Sequence, residues 1–145
     1  MHLKNLPPDL EILKVWDGVS FSKVEFINLS KLREYSHGKA APFGSSLLPL
    51  LPPSVSILRC HSISSLTVPH LWNVRILELR EIDSPLRFEQ LPFLEVLRFF
   101  QVYFGNHNFL LRDLPSFRSL IFGQQSITFQ DGIRELILTQ KNKAK

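Results

Sequence analysis

The chain has 145 residues, 44% hydrophobic and 21% charged, which fits one domain with a buried core and argues against disorder. Its net charge of +4 owes three charges to Lys141, Lys143 and Lys145; the remainder holds 14 basic against 13 acidic residues, so no strongly polyanion-seeking body is implied. The single cysteine, Cys60, excludes an internal disulfide framework, and no apolar run reaches the roughly 20 residues of a membrane span.

Residues 1–8 lack an apolar signal core, which together with the lone cysteine predicts an intracellular, cytoplasmic protein. Leucine accounts for 25 residues and phenylalanine for 12, while ten prolines are scattered along the whole length. Scarce alanine and dispersed proline argue against long helices.

Taken in chain order, one pattern recurs, φ-x-x-φ-x-φ with φ apolar. It begins at Leu10-Leu13-Val15, continues through a degraded copy at Leu32-Tyr35-His37, and returns at Val55-Leu58-Cys60, Val74-Leu77-Leu79 and Leu94-Leu97-Phe99. Phe117-Leu120-Phe122 and Ile133-Leu136-Leu138 complete the series, with starts 22, 23, 19, 20, 23 and 16 residues apart. Most copies are entered through Leu-Pro or a relative: Leu6-Pro7, Leu51-Pro52, Pro69-His70-Leu71, Leu91-Pro92 and Leu114-Pro115. After most copies comes an alternating apolar pair, Val24/Phe26, Leu66/Val68, Leu86/Phe88, Phe109/Leu111 and Ile127/Phe129, the period-2 signature of a short second strand. About ten residues remain for each return path, too few for more than a turn or two of helix.

These three features in fixed order resemble the leucine-rich-repeat family over nearly the full length. The resemblance implies a right-handed solenoid of about six to seven short coils, mainly β (α/β solenoid class in the broad sense). The first strands would form a parallel sheet and the second strands a shorter, less regular one behind it. The family's asparagine ladder is missing, with Val19 (one residue late), Ile63, Ile82 and Val102 in its place. A continuous right-handed β-helix is the rival architecture. Residues 1–140 read as one solenoid with an irregular loop over about 36–53, and 141–145 as a basic tail.

In such a solenoid the outward strand positions form rows across the coils. Lys14, Arg59, Glu78 and Arg98 fall between the second and third φ; Trp16, His61, Arg80 and Phe100 follow the third. These eight are the candidate partner-binding residues, since Trp, Arg and aromatic side chains are enriched at binding hot spots. Ile12, Ile57, Ile76 and Val96 either extend an apolar strip there or tuck against the neighbouring turn, the second being favoured. The histidines lack metal-ligand spacing, and adjacent strand residues such as Cys60 and His61 face opposite sides, which removes a nucleophile pair. Without a phosphate loop, nucleophile elbow or paired-carboxylate motif, the expectation is no enzyme, no cofactor and no metal.

The family resemblance implies an interaction scaffold, here for a protein partner bound through the first-strand face. Nucleic-acid or other polyanion binding through the Lys/Arg row and tail is the alternative, which Glu78 and Glu81 on that face should weaken. A third reading is a fragment or degenerate repeat region of a larger receptor or effector. The final coil around Ile133–Leu138 has no successor to cover it, so weak self-association there is expected.

Overall fold

The computed structural model describes residues 4–15, 26–38, 51–61, 71–81, 85–100 and 108–139, which carry ten strands and no α-helix. The strands are β1 (Ile12–Val15), β2 (Glu34–His37), β3 (Ile57–Cys60), β4 (Ile76–Leu79), β5 (Leu86–Glu89), β6 (Val96–Phe99), β7 (Asn108–Leu114), β8 (Ser119–Phe122), β9 (Gln125–Thr128) and β10 (Ile133–Thr139). They form a front sheet of order β1-β2-β3-β4-β6-β8-β9 and a back sheet of order β10-β7-β5. The described residues form a mainly-β solenoid of about three turns with stacked parallel strands.

The repeated pattern sets the register. The second φ of the first six copies aligns across the front sheet as Leu13, Tyr35, Leu58, Leu77, Leu97 and Leu120, every pairing parallel. From Tyr35 onward these side chains are fully buried. One coil cannot bury its own leucines, so the core exists only between neighbours and between the two walls. Leu86, Phe88, Phe109 and Leu111 close it from behind, as their alternation predicts. Phe99 stacks on Phe109 across the walls with ring centroids 4.8 Å apart, and on Phe122 of the next coil at 5.1 Å.

The corners have their own repeat. Asn5, Asn28, Gln90 and Asp113 all take positive φ, between 55° and 64°, each directly before the leucine that opens a new coil. The turn into the next strand then closes through an i to i+3 bond, as in Leu94 N–H to Leu91 carbonyl and Phe117 N–H to Leu114 carbonyl. Asn and Asp tolerate this left-handed conformation better than other non-glycine residues. The Ser116 hydroxyl donates to the Pro92 carbonyl of the preceding corner at 2.8 Å, and the Ser54 hydroxyl to the Leu32 carbonyl at 2.6 Å, tying coil to coil.

Of the irregular loop expected over about 36–53, residues 39–50 lie outside the described residues; β2 runs to His37, whose imidazole is buried and shares a hydrogen bond with the Tyr35 hydroxyl. Burial pushes that hydroxyl far above its usual range, which keeps it neutral.

One expectation is corrected at the C-terminal end, where the last copy of the motif does not form a further parallel rung. Phe122 pairs with Gln125 across the two-residue turn Gly123-Gln124, with Gly123 at φ 57° as the first central residue of a type II′ turn requires. Ile127 therefore lies in β9, antiparallel to β8 on the front sheet, and not in a back strand. After Gly132 the chain crosses over, and β10 joins the back sheet antiparallel to β7, with Leu136 opposite Leu111 and Leu138 opposite Phe109. The 16-residue spacing before Ile133, the shortest in the series, leaves no room for a front strand, a corner and a back strand in sequence.

Candidate functional site

The outer face of the front sheet is built by alternation. In β2, β3, β4 and β6 the second and fourth residues are buried, and the first and third are half-exposed on the opposite side. Lys14, Ser36, Arg59, Glu78, Arg98 and Ile121 consequently stand in one row, each aligned with the next. Ile12, Glu34, Ile57, Ile76, Val96 and Ser119 form a parallel row on the same face. The apolar members Ile57, Ile76 and Val96 thus face outward and are only half-covered, so they extend the strip rather than withdrawing into the turns.

Charge organises the face. Arg59 bridges two coils, its Nη1 2.9 Å from Glu34 Oε1 and its Nε 3.1 Å from Glu78 Oε1. The hydrogen bond to Glu34 is the main reason its proton is held even more tightly than usual. Arg98, aligned with Glu78 on the other side, makes no ion pair with it; its guanidinium lies over the Phe100 ring, 4.6 Å from the centroid. Arg80 approaches the same ring at 5.4 Å. Phe100 is 41% exposed. Arg98 Nε is buried without a hydrogen-bond partner. A groove of about 740 Å³ lies along this face, bordered by Lys14, Glu34, Arg59, Glu78, Arg80 and Phe100, with the buried His37 and Cys60 also in its lining. Burial pushes the Cys60 thiol up, so it stays protonated and acts as a small apolar member of the core.

Of the eight residues picked from the sequence, Lys14, Arg59, Glu78, Arg80 and Phe100 border this groove, and Arg98 adjoins it through Phe100. His61 is half-buried and turned to Glu81, Nε2 to Oε2 3.2 Å. Trp16 lies outside the described residues. Among the described residues no group of three His, Cys, Asp or Glu side chains is arranged to hold a metal ion. No helix there is long and apolar enough to cross a membrane.

The sequence reading passed over two exposed aromatics at the corners, Trp72 (53% exposed) and Phe93. Both fall in the corner turns, beside the positions where other coils place proline, serine or lysine, which was the available signal. Comparison with protein-family models, curated proteins and solved structures finds no match to this chain.

Proposed function

We propose that this chain is a leucine-rich-repeat-like, right-handed solenoid whose activity is binding without chemistry, and that it recognises a protein partner through the outer face of its front sheet. The family reading rests on the sequence pattern: seven copies of φ-x-x-φ-x-φ, the first six each opened by a leucine corner. The observation that carries the function is Phe100, left in solvent between Arg80 and Arg98 beside a half-covered strip of Ile57, Ile76 and Val96. An aromatic anchor flanked by guanidinium groups on a rigid sheet is the composition that binding hot spots favour.

The polyanion reading would draw on Lys14, Arg59, Arg80 and Arg98. Arg59 is already held by two carboxylates, and Glu34 and Glu78 line the same groove, so a chain of phosphates would meet repulsion along it. An intracellular setting fits the lone buried thiol and belongs to the same proposal.

The test is partner capture by immobilised wild-type chain, compared with Phe100→Ala and with two back-sheet variants, Arg87→Ala and Leu110→Ala. Phe100→Ala should weaken the captured partner by about 1 kcal/mol or more, with melting temperature nearly unchanged. Loss through the back-sheet variants alone would move the site to the other wall.

A further inference from the structure

Most arginines here already have a carboxylate. Arg33, Arg59, Arg75, Arg87, Arg112 and Arg118 are each ion-paired, most of them to a carboxylate of a neighbouring coil, while Arg87 pairs with Glu89 of its own strand and Arg33 also pairs with adjacent Glu34. Among the described residues three are left over. Arg134 stands alone on the edge strand of the back sheet, while Arg80 and Arg98 converge on one ring at the front. The contrast at Arg98 is sharp, because the register puts Glu78 directly beside it and that carboxylate is engaged by Arg59 instead. Glu81, next to Arg80 in sequence, is turned to His61. Two guanidinium groups thus converge on an exposed phenyl face, next to half-covered isoleucine and valine, and no carboxylate of the described residues answers them.

We propose that Arg80, Arg98 and Phe100 form a clamp for an acidic side chain of an extended protein segment lying across the front sheet, with that segment's apolar residues on Ile57, Ile76 and Val96. This deepens the binding-face reading above and rests on it. The Arg98 guanidinium lies over the Phe100 ring, 4.6 Å from its centroid, a contact that lowers the rotamer freedom its terminal amino groups lose on binding. An incoming carboxylate accepts hydrogen bonds from them, as the Glu34 carboxylate does from Arg59 one row away. The occupant is a protein segment and not a nucleic acid because the cationic subsite is local. Beyond it the groove presents Glu78 and Glu34, which suit an isolated acid followed by apolar residues and repel a continuous row of phosphates.

The experiment selects peptides from a random dodecapeptide display library on the full chain. The leading peptides are then measured by fluorescence anisotropy, with a 20-nucleotide single-stranded DNA as the second probe. Selected peptides should carry Asp or Glu next to apolar residues. Arg98→Gln and Arg80→Gln should each weaken them about tenfold. Replacing the peptide's acid by its amide should erase the difference between wild type and Arg98→Gln, an outcome that a merely destabilised variant would not give.

Peptides without acidic preference that are lost on Phe100→Ala overturn the clamp and leave the front face as the binding surface. Peptides indifferent to Phe100→Ala overturn both. A library yielding nothing that depends on Arg98, or DNA bound more tightly than any peptide with the same arginine dependence, also overturns the clamp.

Discussion

Leu97 sits with no exposed surface between Leu77 and Leu120, touching the coil on either side. Leu97→Ala should lower unfolding stability by roughly 2–5 kcal/mol in urea titration, because a cavity there faces two rigid neighbours. Lys31, which among the described residues pairs with Asp9 alone, at 3.5 Å and high exposure, is the matching control, and Lys31→Ala should stay within about 0.5 kcal/mol. Glu78, a surface control by its sequence position, is a poor one because it anchors Arg59.

Gly132 is a different kind of residue. It has φ 75°, and a Cβ there would stand 2.6 Å from the Pro115 carbonyl oxygen and 2.7 Å from that of Leu114. Gly132→Ala should cost about 2 kcal/mol or more, since left-handed strain adds to a clash with backbone that has no freedom to withdraw. The alternation rule placed the core leucines and the outward row correctly because both follow from strand geometry alone. It said nothing of whether an outward arginine pairs with a carboxylate or lies on a ring, as Arg59 and Arg98 respectively do, because that choice is made by rotamers.

Between strands, charge pairs pin the register on both walls. Glu95 lies between Arg75 and Arg118, at 2.8 Å from each, and Arg112 lies between Glu89 and Glu135 on the back. The hydrogen bond from Arg75, followed by the charges of Arg75 and Arg118, holds the Glu95 carboxyl below its ordinary range; Arg87 and then Arg112 do the same for Glu89. A carboxyl that binds its proton less readily folded than unfolded stabilises the fold above the ordinary carboxylate value near pH 4, and that contribution fades as pH falls through its folded value. Urea midpoints taken from about pH 7 down to about pH 3 should therefore decline, and Glu95→Gln should flatten the decline slightly. An unchanged slope would show that these pairs fix alignment without contributing to stability. The strands of the middle coils were legible because three signals recur there in order. The reversal after Phe122 was not, because Ile133-Leu136-Leu138 satisfies the front-strand pattern equally well as an antiparallel back strand. The discriminating residue was Gly123, whose turn geometry outweighs the apolar spacing that follows it.

At the level of the whole molecule, the end expected to be an uncovered coil is instead a pair of edge strands, β9 and β10. Ile127 and Ile137 are exposed there, Ile137 to 61%, and among the described residues no strand pairs with the outer edge of the seven-residue β10. Weak self-association through β10 is the expected consequence. Sedimentation velocity across a range of concentrations should show it, and Ile137→Lys should suppress it; a wild-type chain that stays monomeric at the highest concentration would count against this. The reversal of direction also gives the molecule a growth polarity. A tandem copy of residues 76–95 spliced in after residue 95 would enter a parallel neighbourhood and add a rung with its corner intact. The same copy appended beyond Thr139 would meet strands running the opposite way, with no parallel edge to template it. Duplication can lengthen this solenoid from within and at its first strand, while its last turn acts as a full stop.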